Sequence, residues 1–179
     1  MRPALPLVLF AVLPLSVPAT GQQVERLLVC NKGAASLSIF DPATRTELAV
    51  VPTGDGPHEV AVAPDGRTAV VTDYGSQTPG TTLTVVDVLR GERVRTIELG
   101  LDERDAAGEP RRKAFPRPHG IAFVAADRVV VTSESARRLI EVDVTAGRVL
   151  RTWTTPQRTM HMVALAPDRG RAFASSVHD

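Results

Sequence analysis

One short unit occurs three times in this chain, and that repetition constrains the fold more than any other feature. Its fullest copy runs from Gly56 to Asp73. Val60 and Val62 alternate with Glu59, Ala61 and Ala63; Pro64-Asp65-Gly66 turns the chain; Ala69-Val70-Val71-Thr72 follows. Asp-Gly between two β-rich runs predicts a hairpin. The second copy leads from Pro118-His119-Gly120 to Val129-Val130-Val131-Thr132, and the third from Met160-His161-Met162 to Ala172-Phe173-Ala174. His58, His119 and His161 align, as do Ala61, Ala122 and Ala164, whose small size predicts a close approach between neighbouring units.

A second marker falls between the copies. Asp41, Asp87 and Asp143 each end an alternating run, and a polar turn and a further strand follow each. An Asp here can accept a bond from the backbone two residues on and so seed the turn. The full period therefore has four strands and, between His119 and His161, spans 42 residues. Four short antiparallel strands in about 40 residues describe a β-propeller blade. The predicted fold is all-β: a β-propeller of four-stranded antiparallel blades, incomplete, with about three to three and a half blades. Their predicted extents are approximately 26–52, 58–98, 119–154 and 161–176 within a partial propeller over 22–179. The thirteen strands so counted fall short of the roughly 4–8 complete blades of a closed ring. The chain is thus expected to be the first half of a longer propeller. An open arc also leaves apolar faces and strand edges uncovered, which invites self-association.

The pattern Pro57-His58-Glu59-Val60-Ala61 through Asp65-Gly66-Arg67 to Val70-Val71-Thr72-Asp73, continued by Val85-Val86-Asp87 and Arg95-Thr96-Ile97, resembles the YVTN-type β-propeller repeat of bacterial surface and periplasmic proteins. The resemblance covers nearly all of the chain after residue 25. It implies a secreted or periplasmic scaffold that binds a small molecule or a protein on its loop face, without catalysis of its own. Propellers similar to 6-phosphogluconolactonase and to streptogramin lyases also carry such repeats. They imply an alternative, an enzyme in which His119 works with Arg117 or Glu59 as acid and base.

Residues 1–21 read as a signal peptide: Arg2, an apolar run from Ala4 to Leu15, then Ala19-Thr20-Gly21. That predicts a periplasmic or extracellular protein with no membrane span after cleavage. The 21 basic residues fall to 20 without Arg2, equal to the 20 acidic ones, which argues against a nucleic-acid partner. Cys30 is the one cysteine; it aligns with Thr72 and Thr132 and reads as a structural thiol. Trp153 reads as packing between blades.

With alternating strands, the three histidines and both long connections share one face, at the mouth of a central channel. Loops on a rigid scaffold are where binding resides. The candidate ligand-binding residues are His58, His119 and His161, with Arg111, Arg112 and Arg117 from the long connection Leu99–Arg117, which reads as an unstructured flap over that face. Guanidinium groups suit carboxylate or phosphate. Each histidine is expected to cap its blade through a neighbouring carbonyl, and the three, on three blades, to stand too far apart for one ion. Met160-His161-Met162 has Cu(I)-binding chemistry, but methionine also fills cores. No catalytic residue, metal or cofactor is assigned, and no nucleophile elbow, P-loop or dinucleotide fingerprint occurs.

Overall fold

The computed structural model describes residues 24–178, so the expected signal peptide lies outside the described residues. Within them the chain is all-β, with one 3-10 turn at Lys32–Ala34. No helix among them is long and apolar enough to cross a membrane. Strands β1 (Leu27–Asn31), β2 (Ser36–Asp41) and β3 (Thr46–Pro52) form a three-stranded antiparallel sheet. Strands β4 (Pro57–Val62), β5 (Thr68–Gly75), β6 (Pro79–Asp87) and β7 (Glu92–Glu98) form the second sheet. A hairpin, β8 (Gly100–Arg104) and β9 (Pro110–Ala114), precedes the third sheet, β10 (Pro118–Ala125), β11 (Arg128–Ser133), β12 (Arg138–Asp143) and β13 (Arg148–Thr154). Strands β14 (Met160–Leu165) and β15 (Ala172–Ser176) make a last pair.

The described residues therefore hold fifteen strands where the sequence predicts thirteen. The difference is the β8–β9 hairpin, inside the stretch expected to be an unstructured flap. Its register pairs Asp102 with Arg112 and Glu103 with Arg111, so opposite charges face each other across the strands.

Period-2 alternation lets the second sheet bury both faces. Ala69, Val71, Val86 and Val88 pack against Leu37, Ile39 and Val51 of the first sheet. Val70, Leu83, Val85 and Ile97 point the other way, into a core shared with Val129, Val131, Ile140 and Val142 of the third. The sheets thus stack face to face, and β4, β10 and β14, the first strands of the last three sheets, lie next to one another. The expected Asp turns form at two of the three positions as predicted, with Asp41 Oδ1 accepting from Ala43 N at 2.8 Å and Asp87 Oδ1 from Leu89 N at 3.1 Å, while Asp143 Oδ1 accepts from Ala146 N, three residues on, at 2.7 Å.

Some packing differs from expectation. Ala164 is exposed, and Ala61 and Ala122 are half-buried. The closest approach is at Gly120 instead, where a Cβ would lie 2.6 Å from Val163 N and 2.7 Å from His161 O. Trp153 is 40% exposed, with the Arg151 guanidinium 4.7 Å from its ring centre. Cys30 sits partly buried against the first core, and burial pushes its thiol up to about 11, which keeps it protonated and inert.

Candidate functional site: a histidine stack at one end of the sheets

The site is built by one local device used three times. Two residues before each histidine the chain takes a left-handed turn: Gly56 has φ +59°, Arg117 +57° and Thr159 +51°. Each histidine is then the second residue of its strand, β4, β10 or β14. A register shift follows in all three, between Pro57 and Val60, Pro118 and Ile121, and Met160 and Val163. At each bulge a hydroxyl from the next strand accepts the N–H that the ladder leaves free. Thr72 Oγ1 accepts from Glu59 N at 3.0 Å, Thr132 Oγ1 from Gly120 N at 2.8 Å, and Ser175 Oγ from Met162 N at 3.2 Å. Thr132 Oγ1 also donates to His161 O at 2.5 Å, tying the third sheet to the last.

The histidines meet as a stack. Ring centres of His58 and His119 are 4.2 Å apart, and those of His119 and His161 are 3.8 Å apart. This corrects one expectation about them: no ring caps a strand through a carbonyl, and Nδ1 of His58 and Nδ1 of His119 are buried without a hydrogen-bond partner. Neighbouring rings are close, but among the described residues the donor atoms gather two histidines at a time, His58 and His119 with Glu59 and His119 and His161 with Glu134, so the three do not share one ion. His119 is the central ring, 3% exposed. Burial, then the two neighbouring imidazoles and Lys32, push its pKa down to about 4, so it is neutral at pH 7.

Sequence reasoning missed a second register beside the histidines. Lys32, Tyr74 and Glu134 each follow the aligned Cys30, Thr72 and Thr132 by two positions. Tyr74 N donates to Gly56 O at 3.2 Å and Glu134 N to Arg117 O at 3.1 Å, the same bond in successive sheets. Their side chains join: Tyr74 donates its phenol to Glu134 Oε2 at 2.6 Å. Burial and that bond raise the phenol's pKa, so it stays a donor. The other carboxylate oxygen, Glu134 Oε1, lies 3.9 Å from His119 Nε2 and 3.8 Å from His161 Nε2. The Tyr74 ring stands edge-on to His119 at 5.6 Å. Lys32 Nζ and Arg117 Cζ lie 5.0 and 4.7 Å from its centre, within cation–π reach.

Of the six candidate residues, the structure brings together four: the three histidines and, through Tyr74, Arg117. Arg111 and Arg112 are engaged elsewhere. Arg111 bonds Glu103 at 2.5 Å and Arg112 bonds Asp102 at 2.9 Å, both on the hairpin itself. Glu59 lies 3.6 Å from His58 Nδ1. The methionines split: Met160 is buried at 4% and Met162 is 42% exposed, because the bulge between them breaks the alternation. The site thus combines a stack of three imidazoles with neutral His119 at its centre, a phenol-fixed carboxylate and two cations at one end of the sheets, an arrangement suited to binding an ion or a small polar ligand. A comparison with protein-family models finds no match, and neither does one with curated proteins.

Proposed function

We propose that this chain is an exported β-propeller repeat protein of the YVTN type that acts as a binding scaffold, with its ligand or protein partner at the histidine stack. The blade reading is supported by the repeated four-stranded antiparallel sheets, their face-to-face packing and the adjacency of their first strands. Export rests on the sequence of residues 1–21. One observation carries the binding role: three equivalent histidines stack, two of them beside the partly buried carboxylate of Glu134, and the central ring has no hydrogen bond of its own. Buried polar groups are normally paired, and one that is not, in a polar cluster, points to a role beyond stability.

The test is a thermal-shift and calorimetric screen of the chain against inorganic phosphate, citrate and a panel of mono- and dicarboxylates. His119→Ala is expected to abolish the response, while Asp65→Ala, in a turn at the other end of the strands, leaves it intact. Loss with Asp65→Ala and retention with His119→Ala would place the binding face at the wrong end.

A second reading, a lactonase- or lyase-like enzyme, is favoured by the grouping of His119 with Glu134 and Arg117 around Tyr74. Neutral His119 would serve there as a base. Lactone hydrolysis followed by pH-stat, lost in His119→Ala, would support it; no turnover across a lactone panel would remove it.

A further inference from the structure

We propose that His119, His161 and Glu134 form a site for one divalent transition-metal ion of the Zn²⁺ type. This rests on the reading of the histidine stack as the binding site and names the chemistry of what it binds.

The donor set comes from geometry. One carboxylate oxygen, Glu134 Oε1, faces Nε2 of both histidines at 3.9 and 3.8 Å. One donor atom from each of the three residues lies within 4.8 Å of the other two. Ligand bonds of about 2.0–2.2 Å at a tetrahedral centre put donors about 3.4 Å apart, so each carboxylate–imidazole separation needs to close by only about half an ångström, and the two imidazole donors start within 4.8 Å of each other. Two imidazoles and a carboxylate are a borderline donor set, which suits zinc and its neighbours over magnesium or calcium.

Two features outside the donor set point the same way. Glu134 is held from behind by the Tyr74 phenol at 2.6 Å, an outer contact of the kind that orients a metal-binding carboxylate. His119 is 3% exposed and its ring makes no hydrogen bond to the protein. A second group, His58, Glu59 and His119, also brings its donor atoms within 4.8 Å of one another. Its carboxylate lacks such a support, however, and it competes for the same central ring. The His161 side chain is 36% exposed, so an ion here would keep an open position toward solvent, where an external ligand could join it.

The experiment uses the full chain, stripped with EDTA and desalted. Zn²⁺ is titrated by calorimetry, and Co²⁺ is followed by its visible absorption, which reports coordination number. The expected result is one ion per chain with a Kd on the order of 1 μM or tighter, and a higher melting temperature with zinc. Tyr74→Phe should weaken zinc by about 10-fold. Glu134→Gln keeps the shape and the Tyr74 bond and should weaken it further, as should His161→Ala. Asp65→Ala should bind as the parent does. Circular dichroism of each metal-free variant checks the fold; if His161→Ala does not fold, Glu134→Gln decides. No saturable zinc binding below about 100 μM, or parental affinity in Glu134→Gln, overturns the proposal. Inorganic phosphate and citrate, tested on the same proteins in EDTA, separate the two readings. An anion response lost in His119→Ala without any zinc binding removes the metal and leaves the binding face standing. An anion response kept in His119→Ala but lost in Asp65→Ala removes the face itself.

Discussion

Asp73 shows how much a single buried group decides. Its carboxylate is 1% exposed and accepts from Thr82 Oγ1 at 2.7 Å, Thr84 Oγ1 at 2.9 Å and Gly54 N at 3.1 Å. Burial outweighs those bonds and lifts its pKa from 3.8 to about 6. The folded protein therefore holds a proton that the unfolded chain has released between those two values. The stabilising contribution is full below pH 3.8 and is lost as pH rises through 6, a change of about 3 kcal/mol. Asp73→Asn keeps an acceptor but cannot titrate. Urea unfolding at steps from pH 4 to 7.5 should show the gap between the two proteins shifting toward the variant as pH rises. A gap independent of pH would contradict the raised value. Gly120 is decisive for another reason: Gly120→Ala would drive a methyl into the backbone at Val163, costing about 1–3 kcal/mol. Because Val163 neighbours His161, zinc affinity should fall along with stability; unchanged stability and affinity would show that the last strands yield freely. The histidine alignment was legible in the sequence because each copy repeats His before an apolar alternation. Glu134 and Tyr74 were not, because the residue type at their register changes from Lys32 to Tyr74 to Glu134. Counting two positions on from the aligned Thr would have found them.

At the scale of elements, the β8–β9 hairpin is the part that sequence patterning failed to show. Leu101-Asp102-Glu103-Arg104 and Pro110-Arg111-Arg112-Lys113 lack the apolar alternation by which the other strands were recognised. The available signal was electrostatic: acids first, then bases, around a turn in which Asp105 Oδ1 accepts from Ala107 N and Glu109 N, both at 2.9 Å, and Gly108 takes φ +86°. The hairpin stands on a buried base, where Phe115 N donates to Leu99 O at 2.8 Å and both side chains are 1% exposed. Its tip is held by exposed ion pairs, which contribute little. Replacing Asp102–Arg112 by Asn-Gly should therefore leave both the melting temperature and zinc affinity close to parental values. Phe115→Ala should cost about 3–5 kcal/mol. A hairpin replacement that abolished a phosphate or citrate response would return Arg111 and Arg112 to the site.

For the molecule as a whole, the contrast that matters is between its middle and its ends. The second sheet buries both faces, whereas the first buries only one. Pairing places Leu27 with Phe40 and Val29 with Ser38 on one side of the first sheet, and Leu28, Cys30, Leu37 and Ile39 on the other. The latter side is core. On the former, Leu27 is 52% and Val29 38% exposed, and a cavity of about 510 Å³ opens there among the described residues. At the far end Phe173 is 59% exposed. The two end faces are different surfaces, so contact between them would be head-to-tail, which builds rings or open chains. We propose that these two faces self-associate, which should appear in sedimentation velocity as species heavier than the monomer that grow with concentration. Val29→Glu with Phe173→Glu would put charge on both faces. Both positions are already exposed, so unfolding stability should change by only about 0.5 kcal/mol while the heavier species disappear. A parent protein that sediments as a monomer over the same concentrations would mean that these apolar faces do not seek one another.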